Sequence, residues 1–383
     1  MKREPKHTLT DLRQRQALPL SAKLAMTRLR IREWVDEFGV DGVYVSFSGG
    51  KDSTVLLHIV REMYPDVPAV FSDTGLEFPE IRDFVKTFDN VIWVKPKMNF
   101  KTIIQTYGYP FLSKELSAVV GGAQRALKIL EAEGIDIHDT QRVTEECKKR
   151  FKKEPGEWRR LAQALCKITK DNEIKYDITK EELGIYSVIP TKYQPILYAP
   201  FKITDKCCRI MKKSPMYDFH NESGRNPMTA QMADESRLRT QQWLNNGCNM
   251  FDAQHPISNP MSFWTEQDVL QYIMQNNLQI CSVYGNIVPD YGTSDELNGQ
   301  MDLSDIGCME DRRKYKTTGC DRTGCMFCGY GCHLEASPSR FERMKETHLK
   351  QYEFIMKPTE KGGLGFKEVI DWMNENCGLN IKY

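Results

Sequence analysis

Residues 43–60 read VYVSFSGGKDSTVLLHIV, and this stretch decides the fold. Residues 43–47 are a short run of β-branched and aromatic side chains, the composition of a buried strand. SGGKDS at 48–53 follows, and 54–63 then shows helical spacing. Working outward, AVFS at 69–72 predicts a second strand, 79–88 a helix and 91–94 a third strand. Strands and helices alternating at this interval imply a parallel sheet with helices on both faces. The expected fold is therefore α/β, a doubly wound, mostly parallel sheet. Upstream, 20–38 carries helical apolar spacing and stops at Gly39.

The hexapeptide has a chemical reading of its own. A helix N-terminus offers unpaired backbone N–H groups and the positive end of a dipole. Gly49 and Gly50 let the backbone approach a phosphate closely. Lys51 can pair with phosphate oxygens, Ser48 and Ser53 can donate hydroxyls, and Asp52 can hold a metal ion or its water. The spacing is not that of the GxxxxGK[ST] loop. The bland alternative is a tight strand-to-helix turn.

The chain has 383 residues, with 53 Lys+Arg against 52 Asp+Glu and a net charge of +1. No global field draws it to nucleic acid or membrane, so such contacts need a local patch. No stretch reaches the ~18 consecutive apolar residues of a membrane span. The N-terminal run has charge but no apolar core behind it, so it does not read as a signal peptide. The expectation is a cytoplasmic protein with no membrane partner. Residues 142–170 hold ten Lys/Arg against four Asp/Glu within a polar helical stretch. This insertion is either a solvated helix face or a nucleic-acid contact. Residues 265–276 form a helix opened by Thr265 and an acidic first turn. A short strand is expected at 228–232, and closing helices at 338–356 and 366–376.

Twelve cysteines is a high count, and clustered cysteines in a reducing compartment point to metal or catalysis. Cys147, Cys166, Cys248, Cys281 and Cys308 are scattered. Cys207 and Cys208 are adjacent. Cys320, Cys325, Cys328 and Cys332 lie in TTGCDRTGCMFCGYGCH at 317–333, interleaved with glycines that let the chain wrap a metal centre. By ligand type, four thiolates suit Zn²⁺ and an iron–sulfur cluster equally. Adjacent cysteines can both ligate only where the backbone turns or is helical.

SGGKDS resembles the PP-loop of the ATP pyrophosphatase (adenine nucleotide α-hydrolase) superfamily. With AVFSDTGLEFPEI at 69–81, the wider run resembles the phosphoadenosine phosphosulfate (PAPS) reductase family. KCCRIMKKSPM at 206–216, MADESRLR at 232–239 and PMSFWTEQDVLQYI at 260–273 resemble further motifs of that family, in order. The resemblance covers roughly 40–115 and 200–335. It implies that Ser46, Ser48, Gly49, Gly50, Lys51, Asp52 and Ser53 hold nucleotide phosphates. It places Asp73, Thr74 and Gly75 beside base and ribose. Glu235, Ser236, Arg237 and Arg239 would sit over the site, with Lys51, Asp52, Glu235 and Arg239 as the catalytic set. The bland reading of Glu235 and Arg239 is a surface ion pair. Ala230 and Met232 stand where the family often has Gly and Arg.

The family's iron–sulfur members bind a [4Fe–4S] cluster through a Cys-Cys and a Cys-x2-Cys pair, matched here by Cys207, Cys208, Cys325 and Cys328. Cys320 and Cys332 are additional candidate ligands, and Zn²⁺ is the alternative. Cys377, in NENCGLN, faintly resembles the family's nucleophilic tail, but Asn376 and Asn380 replace its charged neighbours. Three functions follow from the resemblance. The first binds ATP with Mg²⁺, cleaves at the α-phosphate and supports sulfur transfer to an acceptor. A tRNA or DNA would be the acceptor through the basic insertion, and a cysteine desulfurase the sulfur donor. The second is a sulfonucleotide reductase releasing sulfite. The third is a nucleic-acid-binding regulator with a structural metal. The implied organisation is a helical segment at 1–38, a nucleotide-binding domain at 39–115 and 200–285, a basic insertion at 116–199, and a Cys-rich module with closing helices at 286–383.

Overall fold

The computed structural model describes residues 5–166, 178–185, 188–290 and 314–383. Cys308 and the last residues of the basic stretch, 167–170, lie outside the described residues. The chain forms two units. One comprises Met1–Pro96 and Lys212–Cys325, the other Lys97–Met211 and Met326–Tyr383.

The first unit is the α/β body. Its elements are α1 (Leu9–Gln16), α2 (Leu20–Phe38), β1 (Val43–Ser46), α3 (Lys51–Met63), β2 (Ala69–Ser72), α4 (Pro79–Val85) and β3 (Val91–Val94). After the excursion into the second unit come α5 (Ser214–Ser223), β4 (Asn226–Met228), α6 (Arg237–Asn246), β5 (Asn249–Met250), β6 (Ile257–Ser258) and α7 (Glu266–Gln275). A small antiparallel pair, β7 (Ile287–Pro289) and β8 (Tyr315–Thr317), completes it. Among the described residues the main sheet has the order β3-β2-β1-β4-β6-β5, parallel except for the edge pair β5–β6. The chain winds outward through β2 and β3, then returns to the other side of β1. That reversal puts a crevice at the carboxyl ends of β1 and β4.

Apolar periodicity explains the layers. Ile31, Trp34 and Val35 of α2 and Val55, Leu56, Ile59 and Val60 of α3 are buried against Val43, Val45 and Phe71 of the sheet. Burying one such side chain contributes about 1.5–3 kcal/mol. One polar tie crosses this core. Lys23 Nζ of α2 donates to both oxygens of Asp268 at 2.7 Å, with both side chains buried. Asp268 also accepts from the amide and hydroxyl of Thr265, capping α7.

Several expected boundaries shift. The strand expected at 228–232 is Asn226–Met228, because Pro227 pairs opposite Tyr44 and Thr229 already bonds across to Ser258. The helix expected at 79–88 ends at Val85. The helix expected at 338–356 is two, Arg340–Thr347 and Leu349–Met356, broken at His348 where ψ is 57°.

The second unit is mainly helical, with helices Phe100–Tyr107, Lys114–Ala132, Thr140–Phe151, Pro155–Leu165 and Phe366–Cys377 around a two-residue parallel pairing of Phe111–Leu112 with Gly329–Tyr330. Many cations of the basic stretch have acidic partners. Lys148 pairs with Glu182 at 2.8 Å, Lys149 with Glu146 at 3.4 Å, and Arg150 with Glu133 and Glu146. Exposed pairs of this kind add little stability, but they lower the positive field that this face presents. Among the described residues, no helix is long and apolar enough to cross a membrane.

Candidate functional site

The phosphate-type loop lies where β1 hands over to α3. Gly49 takes φ +71°, and Gly50, at φ −77° and ψ 156°, is the helix N-cap. A Cβ on Gly49 would stand 2.8 Å from Val85 Cγ2 and 2.9 Å from Ile81 Cγ2, so the turn needs glycine both for its dihedral and for the packing of α4. Hydroxyls brace the turn. Ser53 Oγ donates to the Gly50 carbonyl at 2.9 Å, Ser48 Oγ lies 3.0 Å from Ser53 Oγ, and Thr54 Oγ1 donates to Gly50 at 3.0 Å.

Lys51 is buried. Its Nζ donates to the Asp321 carbonyl at 2.7 Å and pairs with Glu266 Oε1 at 3.0 Å, while lying 4.0 Å from Asp52 Oδ1. Its backbone N–H donates to the Tyr284 hydroxyl at 3.2 Å. Asp52 carries the most informative electrostatics. Burial pushes its carboxyl above the ordinary carboxylate range, opposed by Lys51, Arg322 and Arg239, while Glu266 pushes it further up. Its Oδ1 is buried and has no hydrogen-bond partner. Burial lowers the pKa of Arg239, and Arg322 adds to the effect. Three cationic groups thus bear on one half-buried carboxylate, whose Oδ1 is itself buried.

A cleft of about 520 Å³ opens beside this loop. Ser46 from β1, Phe47 and Ser48 just after it, Ser72 from β2, and Thr229 and Gln231 after β4 line it, at the switch point of the sheet. Its other wall carries Lys212, Lys213, Tyr217, His220 and His255, with Glu77 as an acidic member. Tyr217 lies against the His255 ring at 4.7 Å between centroids, and Nδ1 of His255 is buried without a hydrogen-bond partner. A lining that combines apolar and aromatic side chains with two lysines suits an anionic, aromatic ligand.

The other expected site residues fall as follows. Asp73 is buried at the end of β2, where Arg82 Nη2 donates to it at 2.9 Å and the Gly75 amide at 3.3 Å. Thr74 bonds to Glu77 through amide and hydroxyl, so 73–75 forms a closed turn and the cleft wall there is Ser72 and Glu77. Glu235 and Arg239 form an ion pair along one helical turn, and Glu235 also accepts from the Met232 amide at 2.9 Å. Ser236 caps α6, and Arg237 is its exposed first residue. Tyr284, Thr323, Lys213, His220 and His255 carry no recognisable sequence signal and are found only through the fold.

The cysteines divide between the units. Cys320 and Cys325 belong to the first, and Cys207, Cys208, Cys328 and Cys332 to the second. Cys207 and Cys208 are helical and run into a π-helical turn at Arg209–Lys213. Within the second unit, Cys208, Cys207 and Cys328 all act on the Tyr330 hydroxyl, adding to the burial that raises its pKa. Cys332 is buried, its thiol pushed up to about 12 by desolvation. Among the described residues, no group of three or more His, Cys, Asp or Glu is arranged to hold a metal ion. Cys377 is buried at the end of its helix, its thiol pushed up to about 11 by burial.

The family model described as the phosphoadenosine phosphosulfate reductase domain matches residues 42–111 and 179–329. An uncharacterized protein of Methanocaldococcus jannaschii is 40% identical over 73 residues, 18% of either chain. The phosphoadenosine 5′-phosphosulfate reductase of Xylella fastidiosa is 37% identical over 68 residues, 18% of this chain and 27% of that protein. The reductase of Buchnera aphidicola is 41% identical over 59 residues, 15% of this chain and 24% of its own. These matches span about a quarter or less of the relatives' lengths. The crystal structure of phosphoadenylyl-sulfate reductase from Candida auris, a phosphate complex, aligns over 69% of this chain and 88% of that one, with 14% identity and a TM-score of 0.34.

Proposed function

Because the chain belongs to the phosphoadenosine phosphosulfate reductase family, we propose that its cleft binds an adenosine 5′-phosphate and that the chain is an enzyme acting at the α-phosphate of ATP. The observation that carries this reading is the charge frame around Asp52: Lys51, Arg239 and Arg322 bear on it, and its Oδ1 is buried and unpartnered. A hard, desolvated carboxylate oxygen is the donor that Mg²⁺ takes alongside phosphate oxygens. Mg²⁺ enters with the nucleotide as part of the substrate. An acceptor oxygen would attack the α-phosphorus, the bond to the α–β bridging oxygen would break, and pyrophosphate would leave. Lys51 and the N-terminus of α3 would supply the positive charge and donors that stabilise that leaving group. The Glu235 carboxylate orients Arg239.

A second reading, sulfonucleotide reduction with release of sulfite, draws support from the names of the relatives. It needs a reactive thiolate. Cys377, the candidate from the sequence, is buried and has no cationic neighbour acting on its thiol, the reverse of what an activated cysteine requires. The ATP reading is therefore preferred.

A [4Fe–4S] cluster is proposed as a further group, with Zn²⁺ as the alternative. Cys207, Cys208 and Cys328 supply soft thiolate donors that share one neighbour, Tyr330, which suits either. Such a cluster would supply sulfur or electrons to the acceptor. A tRNA or DNA acceptor and a desulfurase donor belong to the same proposal. The test is incubation of anaerobically purified protein with Mg²⁺ and ATP labelled at the α-phosphate, with pyrophosphate and adenylate products quantified. Pyrophosphate release that Lys51→Ala abolishes supports the reading. Sulfite release from a sulfonucleotide, with no pyrophosphate from ATP, overturns it.

A further inference from the structure

The first amide of α3 is already engaged. The Lys51 N–H donates to the Tyr284 hydroxyl at 3.2 Å, and that hydroxyl lies 2.7 Å from Thr323 Oγ1. Lys51 Nζ meanwhile donates to the Asp321 carbonyl at 2.7 Å. The stretch that provides these contacts is tied to the Tyr284 segment through Gly319 N to Tyr284 O and Cys320 N to Val283 O, each 2.9 Å. Tyr284 is buried, and desolvation keeps its phenol neutral, its pKa pushed up to about 12. A neutral oxygen therefore stands on an amide that a helix N-terminus ordinarily offers to an anion.

We propose that Tyr284 is a positioning residue of the phosphate loop: its hydroxyl holds the Lys51 amide and yields it to the β-phosphate when a nucleotide binds, with Thr323 and Asp321 as the latch that moves with it. A phosphate oxygen accepts a charge-assisted hydrogen bond, roughly twice as strong as a neutral one, so the exchange runs toward the nucleotide. The exchange also selects for a second phosphate, since a monophosphate has no β-oxygen to take the amide. This deepens the nucleotide reading above and rests on it.

Tyr284→Phe keeps the buried ring and removes only the hydroxyl. The loop then loses its internal acceptor, and the nucleotide has no hydroxyl to displace. ATP·Mg²⁺ affinity, measured by titration calorimetry on the full chain, is expected to tighten about fivefold, the size of one net hydrogen bond. AMP affinity is expected to stay within twofold. Thr323→Ala, at a half-buried position that tolerates truncation, is expected to shift ATP affinity in the same direction by a smaller factor. Damage to the loop would weaken binding, so a gain of affinity separates the latch from a merely structural role. Unchanged or weaker ATP binding in both variants, with wild-type binding intact, overturns the latch and leaves the nucleotide reading standing. ATP binding by none of the three proteins overturns the nucleotide reading itself.

Discussion

Gly49→Ala puts a number on the loop. Gly49 sits at φ +71°, and the new Cβ would meet Val85 Cγ2 at 2.8 Å and Ile81 Cγ2 at 2.9 Å. Two effects add. Holding a non-glycine residue in left-handed backbone costs about 1–2 kcal/mol. Forcing an extra carbon into a packed core costs roughly 1–3 kcal/mol. The neighbours cannot easily turn away, because both are β-branched, buried and stiff at χ1. The expected destabilisation is then about 2–5 kcal/mol, the sum of those two ranges. A unit of roughly 200 residues loses about 2–4 °C of Tm per kcal/mol, so Tm falls by roughly 4–20 °C. Gly75→Ala is the control. It shares φ +71° but has nothing within 4 Å of its Cβ, so it incurs the dihedral cost alone. The assay is differential scanning calorimetry of both variants, followed by ATP titration below Tm. Equal Tm losses for the two variants would refute the packing argument, and no loss for Gly49→Ala would refute both parts.

Three further outcomes follow from the same structure. Burial raises the Asp52 pKa, so ionising Asp52 opposes folding: its contribution is most favourable below the unfolded carboxylate pKa and is lost as pH rises through the folded one. Asp52→Asn is therefore expected to melt higher than wild type at neutral pH, with the gap closing toward acid, while losing Mg²⁺-dependent ATP binding; a gap independent of pH would contradict this. Lys23→Met leaves Asp268 buried without its cation, and urea titration is expected to show a loss of about 3–5 kcal/mol, with a loss under 1 kcal/mol as the contrary result. With its thiol pushed up to about 11, Cys377 is thiolate in roughly one molecule per thousand at pH 8. Iodoacetamide is thus expected to spare it in the native protein and label it in urea, and Cys377→Ser to leave turnover intact; rapid native labelling would point back to a nucleophile.

Much of the α/β body was legible in the sequence because its signals are local. Helix 20–38 and strands 69–72 and 91–94 keep their expected bounds, each defined by its own apolar pattern and a terminating turn. The helix after the loop starts three residues earlier than its apolar spacing, at Lys51, because Gly50 rather than a polar side chain sets its N-cap. The parts that could not be read are long-range. Glu266, Tyr284 and Asp321 reach Lys51 across more than 200 residues of chain, and no spacing rule encodes such a meeting. The Asp73–Gly75 turn shows the opposite limit. Its residues are where the motif puts them, yet their polar groups are spent on Arg82 and Glu77. The adjacent cysteines satisfy the helical condition that joint ligation needs, but which thiols share a ligand depends on tertiary placement.

The loop at 48–53 is proposed to hold a nucleotide with a pyrophosphate group. The most direct measurement is calorimetric titration of anaerobically purified protein with ATP·Mg²⁺, adenosine phosphosulfate and phosphoadenosine phosphosulfate side by side, in wild type and Lys51→Ala. Preference for ATP·Mg²⁺ is expected, with at least a tenfold loss in the variant, equivalent to about 1.4 kcal/mol. Tighter binding of either sulfonucleotide, undiminished by Lys51→Ala, would contradict it.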